Sequence, residues 1–324
     1  MGAFLDTGGE RVAIDCSLPW VMDLLAEGAA GELRNAASRD ASVEVRVESD
    51  GRPFPVDGWE PLARSAWHRN GEVVVENACT AGFDLHFRCN GERAEFSYRW
   101  RPPARDRAAA RVFRSRFHLL ARATLMQYPV IWWAGTRGRA PLHASACSVG
   151  EATPLVTAPS GIGRSTLLLA EVAHGARTTG DNLAVSDGKV AWGIVEPTRV
   201  EGGEGRRMPH GRQEGELRQR AESLMPDRIV VLRRGTSSRS SLVSCPNEAA
   251  VRSLVTGTYM AGELRRYWSF AATLSAGTGR GPAHPPIAEV AGTLAAHVPC
   301  YWLDLGRRSE AALSEVFGAV EAAA

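Results

Sequence analysis

Residues Ser160-Gly161-Ile162-Gly163-Arg164-Ser165-Thr166 form the stretch best equipped for chemistry. A short apolar β-type run, Leu155-Val156-Thr157, leads into it, and Leu167–His174 reads as a helix. Strand, glycine-bearing turn and helix start are the setting of a phosphate-binding loop. The glycines let backbone N–H groups converge on an anion, and the helix dipole adds positive potential there. The consensus is Gly-x-x-x-x-Gly-Lys-Ser/Thr. Gly163 and Ser165 keep it, whereas Ala158 replaces the first glycine and Arg164 the lysine. A cradle is therefore expected whose compact ammonium has given way to a longer, forked guanidinium.

Two short motifs flank the loop. Leu142-His143-Ala144-Ser145 stands just before the loop strand, and Gly180-Asp181-Asn182 follows the loop helix at the end of another strand. The tail reads strand, helix, apolar strand (Val298–Leu305), helix. Together these features resemble the HPr kinase/phosphorylase family and its smaller relatives, which share a nucleotide-binding core with phosphoenolpyruvate carboxykinases. The resemblance is good from about Val130 to Asn182, looser toward Ala324 and weak over the N-terminal sheet.

The resemblance implies an α/β, HPr-kinase-like P-loop core, a mixed sheet with flanking helices. It implies that Ser160, Gly161, Gly163, Arg164, Ser165 and Thr166 form the phosphate cradle. Ser165 and Asp181 would hold Mg²⁺ if nucleotide binds, and His143 would tune the acid pair. The first acid of that pair matches Asp181; the second position holds Asn182, which cannot take a proton at neutral pH. Losing the lysine and one acid implies that phosphoryl transfer has faded, because removing one preorganised catalytic group commonly costs orders of magnitude in rate. The expected function is a degenerate HPr-kinase-like protein that binds a peptide, as guide or scaffold in ribosomal-peptide biosynthesis, with no cofactor required. The alternative is an ATP- and Mg²⁺-dependent kinase of a Ser/Thr hydroxyl in a peptide or small protein. A partner biosynthetic enzyme and a homo-oligomer are further implications of the family.

The elements that must position these residues divide the chain into three. Residues 1–105 read as a small, mainly antiparallel α+β domain, with Val43, Val45 and Val47 alternating with charged residues as in a half-buried strand. Asn70-Gly71 and Asn90-Gly91 are hairpin signals. Residues 106–140 connect, with one long helix over Asp106–Tyr128 ended by Pro129; its arginine-rich face is expected to be solvated. Residues 141–324 form the core. Within them Glu201–Gln219 is expected to be a loop, Glu310–Ala322 a terminal helix, and Arg233, Arg234 and Arg239 a surface cluster following a strand.

Composition narrows the function classes. A net charge of +2 over many mixed-sign residues gives no reason to expect nucleic acid or an anionic membrane as partner. No apolar run approaches the roughly 20 residues that span a bilayer. The N-terminus lacks a basic segment followed by an apolar core, so a cytoplasmic location is expected. The six cysteines are scattered with no CxxC pair, which fits reduced, buried thiols rather than zinc. Lys189 is the only lysine, so arginine at any one surface position carries little information.

Overall fold

The computed structural model describes residues 2–35, 40–201, 205–208, 211–307 and 312–321. The chain opens with strands β1 (Gly2–Thr7) and β2 (Glu10–Cys16), helix α1 (Pro19–Gly28) and strand β3 (Val43–Glu48). Strands β4 (Glu60–Ala63), β5 (Ala66–Arg69), β6 (Glu72–Ala78), β7 (Phe83–Asn90) and β8 (Arg93–Trp100) follow. Next come helices α2 (Ala104–Val112), α3 (Arg114–Arg122) and α4 (Tyr128–Gly135). Strands β9 (Ala140–Leu142), β10 (Ala144–Ser148) and β11 (Pro154–Thr157) lead to helix α5 (Arg164–Ala173). Short strands β12 (Arg177–Thr178), β13 (Ala184–Ser186), β14 (Ala191–Gly193), β15 (Thr198–Val200), β16 (Gln213–Gly215) and β17 (Ser223–Leu224) precede β18 (Arg228–Arg234) and β19 (Ser241–Ser244). Helices α6 (Asn247–Met260), α7 (Tyr267–Thr278) and α8 (Ile287–His297), strand β20 (Cys300–Leu305) and helix α9 (Ala312–Glu321) complete the chain. This is a mixed α/β architecture. No described helix is long and apolar enough to cross a membrane.

Two compact units are built from these elements, and neither is continuous in sequence. The first comprises Met1–Gly138, Val195–Glu216 and Glu263–Pro285; the second comprises Arg139–Ile194, Leu217–Gly262 and Pro286–Ala324. A division at residues 105 and 140 therefore misses two segments that return to the first unit. One of them, Val195–Glu216, overlaps the expected loop Glu201–Gln219 and carries the antiparallel pair β15–β16, with Thr198 opposite Gly215. Its return has a physical cause. Arg122, almost fully buried, donates to Glu214 at 2.6 Å, to Glu27 at 2.8 Å and to the Leu24 carbonyl at 3.1 Å. A buried guanidinium needs such partners, and β16 supplies one.

The sheet of the first unit runs β1-β2-β3-β8-β7-β6-β5-β4. It is not purely antiparallel, because β3 pairs in parallel with both β2 and β8. The valines of β3 lie in the core opposite Ala94, Phe96 and Tyr98. Asn70 and Gly71 both take positive φ in the β5–β6 hairpin, as expected. In the β7–β8 hairpin Asn90 instead pairs with Arg93, so Gly91 and Glu92 form the turn.

Pro129 does not end the helix. Residues 123–127 widen into a π-turn, in which the Tyr128 N–H donates to the Ala123 carbonyl, and α4 continues with Pro129 in its first turn. That register leaves the Thr124 carbonyl without a donor, since its next partner would be the absent N–H of Pro129. Tyr98, fully buried on β8, donates its hydroxyl to this carbonyl at 2.7 Å. The other break falls at Phe113, which separates α2 from α3.

In the second unit the main sheet runs β12-β10-β11-β18-β20-β19, with β11, β18 and β20 mutually parallel. Ile229 to Leu232 on central β18 are all buried, as expected of a strand covered on both faces. Val156, Val230, Leu232 and Leu303 form one core with Leu167 and Leu168 of α5 and Leu313 and Phe317 of α9. Helix α6 packs against β9, β11, β18 and β20. The expected terminal helix is α9; residues 310, 311 and 322 lie outside the described residues.

Replacing Tyr98 with phenylalanine is expected to strand the Thr124 carbonyl and lower stability by about 1–3 kcal/mol. Urea unfolding of Tyr98→Phe measures this, and an unchanged midpoint would contradict the role assigned to the hydroxyl.

Candidate functional site

Strand β11 delivers the chain into the loop at its C-terminal end. Val156 packs under α5, and Thr157, one pleat on, lies toward Gly257 of α6. Ala158 is buried where a phosphate loop carries its first glycine. Gly161 and Gly163 take φ values of +80° and +116°, which let the backbone turn into the helix without a Cβ clash. The first intrahelical bond runs from the Leu167 N–H to the Gly163 carbonyl at 2.9 Å. The N–H groups of Gly163, Ser165 and Thr166 have no hydrogen-bond acceptor among the described residues, and no acid stands in the first turn of α5. Ser160, Gly161 and Thr166 are exposed, and Ser165 is half-buried. The loop thus has the frame of an anion cradle.

Arg164 departs from that frame. It is the first residue of α5, yet its side chain is only 7% exposed. Its guanidinium donates to the His143 carbonyl at 2.7 Å, to the Asp181 carbonyl at 3.1 and 3.2 Å, and to the Asn182 carbonyl at 3.1 Å. The side chain at the lysine position is engaged with three main-chain oxygens from two other segments. The planar fork explains how one side chain reaches all three; an ammonium has three donors on a single point and no such reach.

The acceptors are themselves held. His143 sits between β9 and β10; its N–H donates to Thr258 Oγ1 at 3.0 Å, and its carbonyl also accepts from Thr157 Oγ1 at 3.3 Å. The Thr258 hydroxyl in turn donates to the Leu254 carbonyl within α6 at 2.7 Å. The 178–182 segment is fixed to β10 by Thr178 Oγ1 and the Thr179 N–H, both donating to the Ala146 carbonyl at 2.9 Å. It is also pressed against β14, where a Cβ on Gly193 would lie 1.8 Å from the Thr179 carbonyl oxygen. On α5, fully buried Glu171 accepts from the Leu313 and Ser314 N–H groups and the Ser314 hydroxyl, capping α9.

The structure therefore joins His143, Arg164, Asp181 and Asn182 through main-chain carbonyls. Asp181 is 5% exposed, and Asn182 Nδ2 is buried without a hydrogen-bond partner. No hydrogen bond links Ser165 to Asp181, and no group of three or more His, Cys, Asp or Glu among the described residues is placed to hold a metal. Burial pushes the Cys147 thiol up to about 12, so it is no nucleophile. Of the expected arginine cluster, Arg233 pairs with Asp304 and covers Trp302, while Arg234 donates to the Gly161 carbonyl of the loop at 2.9 Å. Thr258 had no signal in the sequence, because it lies far along the chain from the segment it holds.

No family model matches the chain, and no curated protein matches it. Among solved structures the chain is similar to the Hpr(Ser) kinase/phosphatase from Coxiella burnetii, with 18% identity and a TM-score of 0.23. The match covers 29% of this chain and 65% of that one, just under two thirds of the relative's length. A superposition that loose assigns no site.

Conversion of Arg164 to lysine is expected to leave carbonyls of His143, Asp181 and Asn182 short of donors and to cost about 2–3 kcal/mol of stability. Gly193→Ala forces the 178–182 segment to shift and is expected to cost about 1–3 kcal/mol. Urea midpoints at unchanged m-value test both; losses below about 0.5 kcal/mol would remove the structural role of either residue.

Proposed function

We propose that the chain is an HPr-kinase-like protein that no longer transfers phosphoryl groups and instead binds a peptide, as guide or scaffold in ribosomal-peptide biosynthesis. The observation that supports the loss is the engagement of Arg164 with the carbonyls of His143, Asp181 and Asn182. The charge that would neutralise β- and γ-phosphates is spent inside the protein. The remaining residues fit an anion better than a Mg-triphosphate: backbone N–H groups are open, but the second acid position carries an amide. The peptide half rests on the family resemblance of the loop, His143-Ala144-Ser145 and Asp181-Asn182. The second reading, an ATP- and Mg²⁺-dependent kinase of a Ser/Thr hydroxyl, is favoured by the unengaged N–H groups of Gly163, Ser165 and Thr166.

Melting with and without Mg-ATP separates the two. A nucleotide bound a hundredfold above its Kd would stabilise the fold by about 2.7 kcal/mol, a rise of several degrees. The expected result is no rise, together with no transfer of label from γ-labelled ATP to a candidate precursor peptide. That peptide is expected to bind in titration calorimetry. Labelled product at an enzymatic rate would overturn the loss of chemistry, and absence of heat at the highest soluble peptide concentration would overturn the binding role.

A further inference from the structure

Helix α2 buries none of its side chains. Only Asp106 and Ala110 within it are even partly covered, and the two residues that end it, Val112 and Phe113, are 73% and 56% exposed. Nine residues are too few for a helix that holds itself in water, where about 12–15 residues is the marginal length. Its alanines and arginines favour the helix, but tertiary packing on α2 adds almost nothing. The side-chain tether it has is Asp106, which accepts from Asn77 Nδ2 at 2.7 Å.

Charge on this elbow is one-sided. Residues 104–116 hold five arginines, Arg105, Arg107, Arg111, Arg114 and Arg116, against the single acid Asp106. Arg105 lies 3.4 Å from Asp106, whereas Arg107, Arg111, Arg114 and Arg116 enter no ion pair among the described residues. Arg107 and Arg111 stand one turn apart, a like-charge spacing that destabilises a helix. Arg116 lies over the Phe113 ring at 5.9 Å, so cation and aromatic surface are offered together.

We propose that the α2–α3 elbow is the docking surface for an acidic peptide segment that carries an apolar side chain. This inference deepens, and rests on, the reading of the chain as a peptide-binding protein. Carboxylates spaced along the peptide pair with the guanidinium forks, relieving the repulsion between Arg107 and Arg111. The apolar side chain covers Val112 and Phe113. Two apolar residues at one end of α2 do not make the continuous stripe that an interfacial membrane helix buries. Arg105 and Arg107 point about 200° apart around the helix, so the arginines are not the single stripe that tracks a nucleic-acid backbone.

Fluorescence anisotropy of the full chain with a labelled peptide of alternating glutamate and leucine tests the proposal. Saturable binding that weakens with salt is expected, reduced roughly tenfold or more in the triple variant Arg107→Glu, Arg111→Glu, Arg114→Glu and in Phe113→Ser. All four positions are exposed, and a thermal melt of each variant checks that the fold is kept. Equal binding of a lysine–leucine peptide, or unchanged affinity in the triple variant, overturns the proposal. So does tighter, arginine-dependent binding of phosphatidylserine vesicles or a single-stranded oligonucleotide. If the candidate precursor peptide binds in calorimetry and the triple variant binds it equally well, the elbow is excluded while the peptide-binding reading stands.

Discussion

A guanidinium removed from water must find acceptors, and Arg164 finds them on the main chain of two other segments. That constraint sets the geometry of the second unit around the loop. The turn after β9 and the 181–182 segment must each bring a carbonyl within about 3 Å of one planar group, the ordinary reach of such a bond. Thr157 and Thr258 fix the first of these, Ala146 and the tight contact with Gly193 the second. A buried charge breaks easily when one partner goes, so the arrangement is held from several sides. Under the proposed function, the arrangement carries a functional cost. A side chain so engaged is not available to a phosphate.

Buried polar groups answer main-chain groups elsewhere too. Glu171 closes the N-terminus of α9, Tyr98 completes the carbonyl that Pro129 leaves without a donor, and Arg122 joins Leu24, Glu27 and Glu214. For Glu171 and Tyr98 an element end or an irregular turn exposes a backbone group that a side chain from a distant segment satisfies, whereas Arg122 is held by two carboxylates and one carbonyl. The chain spends its long polar residues on positioning, and α2 is the conspicuous segment where arginines are left facing solvent.

Much of the local structure was legible. The valine alternation of β3, the Asn70-Gly71 turn and the strand–loop–helix order around Gly163 follow from side-chain period and φ preference, which are local properties. What was not legible depends on distant partners. The parallel pairing of β3 with β2 needs the crossover through α1, the return of residues 195–216 to the first unit draws on the Arg122–Glu214 pair, and that of 263–285 on Tyr128, which donates to the Glu263 carbonyl. Continuation through Pro129 needs the Tyr98 hydroxyl. At the site, sequence located Arg164, His143, Asp181 and Asn182 but not their connection, because it is made by carbonyl oxygens, which every residue has and no residue type signals.

The proposed loss of phosphate chemistry and the structural tie of Arg164 are then one feature seen from two sides. Side-chain ¹⁵N NMR of arginine addresses it directly, with the Arg164 signals assigned by their disappearance in Arg164→Lys. The Arg164 Nε and Nη protons are expected to be protected from exchange and to keep their shifts as Mg-ATP is added to high excess. Saturable movement of those signals with nucleotide would mean that the guanidinium leaves the carbonyls for phosphate, and the site would have to be read as a working phosphate loop.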